Sequence, residues 1–126
     1  MTYQLTVHPT PAYLHAQVTG DNSVKTVTDY IHEIGDICEQ QKISMVLIEE
    51  NLHGPGLSMF DVAKVIKGLR KSPLILRWVI YVDVNPAHDP ILMDFARELA
   101  IRRGLRIRIC RSVKEAKEWI ETMLVR

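Results

Sequence analysis

Cysteine, net charge and long apolar runs are all scarce in this 126-residue sequence, and each shortage excludes a class of protein. The two cysteines, Cys38 and Cys110, form no CxxC pair and no Cys/His spacing typical of zinc, so they indicate neither a disulfide framework nor a zinc site. The formal net charge is +1, so no bulk field draws the chain toward nucleic acid or anionic lipid. We therefore expect two free, structural thiols.

The hydrophobic segments are too short for a membrane protein. The longest, residues 74–82, is interrupted by Arg77 and cannot cross a bilayer. Residues 1–9 have no basic stretch followed by an apolar run, so we expect no signal peptide. These observations predict a cytoplasmic protein without stable membrane insertion.

The composition is that of an ordinary globular domain, with 47% hydrophobic and 25% charged residues. A chain of this length fits one domain, and no linker, repeat or low-complexity segment divides it. We expect a single domain over residues 1–126.

Hydrophobic periodicity predicts the first elements. Apolar residues alternate with polar ones over residues 3–8 and 14–18, on either side of a Pro-containing turn, which predicts a β-hairpin with one wet face. From Ser23 to about Gln41 the apolar spacing changes to three and four, as in an amphipathic helix. The apolar run at residues 45–48 is typical of a central parallel strand.

Capping signals mark the remaining helices. Ser58 and Asp61 form a variant capping box after the turn-rich residues 51–57. Asp89 with Pro90 predicts the start of a third helix, and Gly104 its end. Ser112 and Glu115 form a second capping box, which opens the last helix. Strands are expected at residues 74–84 and 105–109.

The predicted order is therefore β-β-α-β-α-β-α-β-α, an α/β fold with a single, mostly parallel sheet. The first strand is the antiparallel exception because a hairpin pairs it with the second. The runs at residues 46–48 and 78–82 should be adjacent, parallel and buried. Polar residues recur in the outer strands, so we expect helices mainly on one face.

This element order, with a terminal Ser-x-x-Glu-Ala-x-x-Trp-Ile helix, resembles the STAS and CRAL-TRIO superfamily, which includes the anti-sigma factor antagonists, and within it the SpoIIAA-like branch. The likeness spans about Tyr13 to Leu124. The segments that carry it are residues 18–20, 46–48, 54–56, 104 and 115–120. The resemblance implies a non-enzymatic regulatory module that contacts another protein or a second copy of itself as a homodimer. Its CRAL-TRIO members imply an alternative, a carrier of a small lipid-like or anionic ligand.

Ser58 has two interpretations. In regulatory members of the superfamily a serine in Asp-Ser-Ser-Gly, at the start of the helix after the central strand, is phosphorylated by a partner kinase. The matching stretch here is Gly56-Leu-Ser-Met59, which keeps one serine and lacks the acid, the second serine and the final glycine. Ser58 is therefore either a phosphoacceptor or only the helix cap that its capping box predicts.

A ligand or partner loop is expected at the carboxyl ends of the central strands, where open α/β sheets bind ligands. The residues near this edge are Glu49, Glu50, His53, Gly54, Gly56, Asp83 and His88. A third interpretation, a small hydrolase, would combine Ser58 with His88 and Asp83, but no Gly-x-Ser-x-Gly elbow surrounds the serine. We expect no catalytic residue, no metal and no cofactor, since neither metal-ligand spacing nor a P-loop is present.

Arginines are dense near the carboxyl terminus. The set comprises Arg102, Arg103, Arg106 and Arg108, followed by Arg111. They form either a solvated edge or a surface for an anionic ligand or acidic partner. Nucleic acid is not expected, because no aromatic residue is interleaved among them.

Overall fold

Five strands and four helices are formed by residues 3–54, 57–69, 78–86, 88, 90–102, 104 and 106–124, the part of the chain that the computed structural model describes. The strands are β1 (Tyr3–Pro9), β2 (Leu14–Asp21), β3 (Met45–His53), β4 (Trp78–Asp83) and β5 (Ile107–Cys110). The helices are α1 (Val24–Gln41), α2 (Met59–Leu69), α3 (Pro90–Arg102) and α4 (Val113–Leu124). Their order is the one that the sequence predicts.

The strands lie in one sheet in the order β1-β2-β3-β4-β5. β1 is antiparallel to β2, and the other neighbours are parallel, which confirms the predicted α/β fold with a mixed, mostly parallel sheet. The predicted central strands are adjacent, with Val46 opposite Val79. From β2 to β5 each strand is added on the same side of the one before it. Because β-α-β crossovers are nearly always right-handed, this order places the connecting helices on one face.

Helices α1, α2 and α3 pack on that face and on one another, as the sequence predicts. Their largest shared core contains Leu14 of β2, Ile34 of α1, Ile48 of β3 and Val65 of α2. Helix α4 follows the last strand, so no crossover fixes its side. It lies on the opposite face, where Ala116 and Ile120 cover Leu47, Ile80 and Val82.

Three serines begin helices through local hydrogen bonds. The Ser23 hydroxyl accepts from the Thr26 N–H at 3.1 Å, and the Ser58 hydroxyl accepts from the Asp61 N–H at the same distance. The Ser112 hydroxyl accepts from the Glu115 N–H, also at 3.1 Å. These bonds satisfy amide groups that a helix leaves unpaired in its first turn, which is why the capping signals located the helix starts correctly.

One strand differs from its prediction. β3 continues through Glu49 and Glu50 to His53, although residues 51–57 were expected to form a loop. β2 imposes this length, because its register pairs every residue of the extension, ending with Asp21 opposite His53. Other predicted features lie outside the described residues: residues 70–77, Gly56, Asp89, Arg103 and Leu105.

Both cysteines are free and buried, which confirms the prediction of two free thiols. Burial raises the pKa of the Cys38 thiol to about 11. No helix within the described ranges is long and apolar enough to cross a membrane.

Candidate functional site

A glutamate is buried between α1 and the sheet. Glu50 is 4% exposed, and its carboxylate accepts hydrogen bonds from the phenols of Tyr30 and Tyr81. Tyr30 donates to Oε2 and Tyr81 to Oε1, so each carboxylate oxygen has its own donor. Three elements, α1, β3 and β4, therefore meet at one polar cluster inside an otherwise apolar layer. We call Glu50, Tyr30 and Tyr81 the buried carboxylate cluster.

Strand register and helix periodicity bring these residues together. β3 buries Val46, Ile48, Glu50 and Leu52 on the face that α1 covers, because alternate residues of a strand share a face. Tyr81 pairs with Ile48 in β4 and lies on that face as well. On α1 the fully buried line runs through Tyr30, which is 0% exposed.

Burial changes the acidity of all three groups. Loss of water raises the pKa of Glu50 to about 7, although the hydrogen bonds from both tyrosines act in the opposite direction. The nearby Asp83 raises the pKa of Glu50 further, and His88 lowers it. Burial and Glu50 itself raise the pKa of both tyrosines well above 10. The phenols therefore remain protonated donors, and Glu50 is the group that titrates near neutral pH.

A second group of polar side chains lies at the carboxyl ends of the strands. Asp83 Oδ2 lies 2.6 Å from His88 Nδ1, and the two side chains are 10% and 7% exposed. Asn85 donates from Nδ2 to the Leu52 carbonyl at 2.7 Å, and its backbone N–H donates to Asp83 Oδ1 at 2.9 Å. His88 Nε2 lies 3.5 Å from Asn22 Nδ2. These contacts fix the loop after β4 against the ends of β2 and β3.

The two polar groups do not form a reaction centre with Ser58. The Ser58 hydroxyl accepts from the Asp61 N–H, and the Asp61 carboxylate accepts from the Ser58 N–H at 3.4 Å. His88 Nε2 faces the amides of Asn22 and Asn85 instead. Glu50 and Tyr30 are buried beneath α1. The buried carboxylate cluster therefore couples the fold to the protonation of Glu50.

The first turn of α2 exposes apolar side chains to solvent. Met59 and Phe60, which directly follow Ser58, are 51% and 69% exposed. Lys64 lies one turn later with Nζ 4.7 Å from the Phe60 ring centre. Ile91, in the first turn of α3, is 65% exposed, and α2 packs beside α3. Both helices begin at the carboxyl ends of parallel strands, so this apolar surface lies at the edge where ligands of α/β sheets bind.

The other residues predicted near this edge are separated. Glu49 lies on the opposite face from Glu50, where its Oε1 is 2.9 Å from His15 Nε2 and accepts from Gln17 Nε2 at 3.3 Å. His53 is exposed at the end of β3. Gly54 follows with a φ of 109°, a conformation that favours glycine. Of the predicted set, the described part of the chain brings together Glu50, Asp83 and His88.

The predicted arginine surface is also divided. Arg108 lies over the Trp119 ring, 5.1 Å from its centre, and Trp119 in turn packs edge-on against Trp78 at 5.0 Å. Together with Arg97 and Arg111, these residues line an open cleft of about 910 Å³ along β5, which we call the β5 cleft. Arg102 and Arg106 are exposed but do not line it.

Several site residues were not predicted, namely Tyr30, Tyr81, Asn22 and Asn85. A signal for one of them was available: Tyr30 continues the spacing of Val27, Ile34 and Cys38, and a buried tyrosine needs a partner for its hydroxyl. Nothing in the local sequence identifies that partner as Glu50, since it lies 20 residues away. Among the described residues, no group of three His, Cys, Asp or Glu side chains could hold a metal ion.

No family model matches the chain, and no curated protein sequence matches it significantly.

Proposed function

We propose that the chain is a non-enzymatic protein-interaction module of the SpoIIAA-like kind, which contacts its partner through the first turn of α2. The observation that carries this proposal is the exposure of Met59 and Phe60 directly after Ser58. Large apolar side chains that stay in water at a helix start favour burial against another surface, and aromatic residues and methionine are enriched in protein interfaces. Ile91, in the first turn of the neighbouring helix α3, is a further exposed apolar side chain.

The element order supports the same proposal, since it is the order on which the resemblance to anti-sigma factor antagonists depends. In that family the equivalent helix start carries the phosphorylated serine, and here Ser58 is exposed at the first turn of α2. A phosphate at Ser58 would meet the positive end of the helix dipole but would also lie close to the Asp61 carboxylate. Phosphorylation would therefore alter the charge of the contact surface while leaving the core untouched.

The other two interpretations have less support. A lipid carrier needs an enclosed apolar pocket, whereas the β5 cleft is open and bordered by arginines and aspartates. A hydrolase needs its serine beside a base, and the Ser58 hydroxyl is instead bonded to the backbone of its own helix. We therefore prefer a module that acts by contact.

The test is site-specific photocrosslinking in the source cell. A photoreactive phenylalanine analogue at position 60 should capture one defined protein, either a different protein or a second copy of the chain, and mass spectrometry identifies it. The same analogue at Glu121, which is exposed on α4 on the opposite side of the sheet and lies outside the β5 cleft, is the matched control. If position 60 captures nothing beyond what the control captures, the contact surface is not at α2.

Ser58 is examined in the same cells. If phosphorylation of Ser58 controls partner binding, Ser58→Asp should change the yield of the crosslinked product formed at position 60. Ser58→Ala should not reproduce that change. Equal yields for wild type and Ser58→Asp, with no phosphopeptide covering Ser58, would leave this serine with its capping role only.

A further inference from the structure

The sheet ends at β5, and one side of this strand has no partner among the described residues. On its other side β5 pairs with β4, where the Val79 N–H donates to the Arg106 carbonyl at 2.9 Å. Successive residues of a strand direct their backbone groups to opposite sides. The N–H and C=O groups of Ile107 and Ile109 therefore point away from β4, toward the β5 cleft. An edge of this kind is a template for an added strand.

The charged side chains beside this edge determine which kind of added strand it favours. Arg97, Arg108 and Arg111 line the β5 cleft with their side chains exposed. Two acids also line it: Asp83 is occupied by His88, and Asp94 is exposed. Arg97 also lies 3.6 Å from Glu98, but an ion pair between exposed side chains is weak and leaves the guanidinium available to another carboxylate. With His88 counted as neutral, the lining carries three arginines and two acids, so the cleft is weakly positive. Arginine forms paired hydrogen bonds with carboxylates. We propose that the β5 edge binds an extended acidic segment of a partner protein by strand addition.

Nucleic acid is the other polyanion that such a cleft would attract, and the aromatic geometry disfavours it. Single-stranded nucleic acid gains affinity when its bases stack on open aromatic faces. Arg108 lies over the Trp119 ring and Trp78 packs against it edge-on, so side chains of the protein already occupy the contacts that a stacked base would need. A peptide instead needs the backbone groups of the strand edge, together with apolar positions such as Ile101, which lines the cleft and is 48% exposed.

The two tryptophans are the only ones in the chain, and both line the cleft, so tryptophan fluorescence reports its occupation directly. The probe is a seven-residue peptide of alternating glutamate and valine, and its lysine and valine counterpart is the control. We expect saturable binding of the acidic peptide only, weakened by salt. Arg97→Glu and Arg111→Glu should each weaken binding at least tenfold, whereas Lys67→Glu, the same charge change on α2, should not.

Strand addition is tested separately from charge. Ile109→Pro removes an N–H that β4 does not use, so the variant should keep the β4–β5 ladder and lose the peptide. Methyl groups on alternate backbone nitrogens of the peptide make the same test without changing the protein: one set of positions should abolish binding, and the other should leave it unchanged. Binding that tolerates both methylated sets, an absence of saturable binding, or equal binding of oligothymidylate would each overturn the proposal. Substitution of Phe60 should not alter peptide binding, so the outcome does not depend on the proposed contact at α2.

Discussion

Replacement of Glu50 by glutamine should change how the stability of the protein depends on pH. The pKa of Glu50 is raised from 4.5 to about 7 by burial in the folded protein. The folded chain therefore holds a proton between these two values that the unfolded chain has released. Stability must fall as the pH rises through this window, and it becomes constant with respect to Glu50 above about pH 7.

The magnitude follows from the two pKa values. Each unit corresponds to about 1.4 kcal/mol, so ionisation of Glu50 costs the folded state about 3 kcal/mol at high pH. Water screens the charge of Glu50 poorly, because the side chain is only 4% exposed, so this cost is not reduced by solvent. The Glu50→Gln variant stays neutral at every pH, keeps the shape of the side chain and does not incur this cost. Its stability relative to wild type should therefore rise by about 3 kcal/mol between about pH 4.5 and pH 8.5.

Urea denaturation of both proteins at several pH values measures this difference. Other carboxyl groups also titrate, but they titrate alike in the two proteins and cancel when the curves are subtracted. Glu121→Gln makes the same change at an exposed position on α4, where no charge is buried, and should not reproduce this rise. If the difference between wild type and Glu50→Gln changes by less than about 1 kcal/mol over this range, the buried carboxylate is not the titrating group that we describe.

Three further predictions concern single groups. Tyr81→Phe removes a hydrogen bond that lowers the pKa of Glu50, so the loss of stability should extend to higher pH than in wild type; an unchanged profile would show that this bond contributes nothing. Ser58→Ala and Ser112→Ala each remove an equivalent cap and should each lower the free energy of unfolding by about 0.5–2 kcal/mol, whereas Ser58→Asp should preserve it; urea titration distinguishes these outcomes. Cys38 is 0% exposed with a thiol pKa of about 11, so iodoacetamide should label it in urea and not in the native protein, as peptide mass spectrometry will show.

The sequence predicted the order of the elements because each helix and strand carries a local signal. Ser58 and Ser112 mark helix starts through bonds to residues three positions away, and these bonds are visible in the sequence. The extension of β3 carries no comparable signal, since residues 49–53 mix acidic, amide and apolar side chains. Pairing with β2 turns these residues into a strand, and a partner about 30 residues away cannot be read from a local pattern.

The candidate site was predicted in part for the same reason. Asp83 and His88 were placed correctly at the carboxyl ends of the strands. Glu49 and Glu50 were grouped, although strand alternation puts them on opposite faces, one beside His15 and the other beneath Tyr30. Had β3 been extended by two residues, the alternation would have separated them. The position of α4 could not be predicted, because no later strand constrains the side on which it packs.

The order of the strands has a consequence for how the domain assembles. Each parallel strand pairs with the strand before it at a separation of about 30 residues, as Leu14 with Val46, Met45 with Trp78 and Val79 with Ile107. No parallel strand pairs with a distant part of the chain. The loss of chain entropy when a strand pairs is therefore modest and similar for each pair. The sheet can therefore grow one strand at a time during synthesis. Until β5 has formed, the unpaired edge of the sheet is β4, which is the more apolar of the two strands. The short length of β5 and its single arginine, Arg108, end this growth on a charged strand, which disfavours pairing with the apolar strands of nascent copies and leaves the edge to an acidic segment.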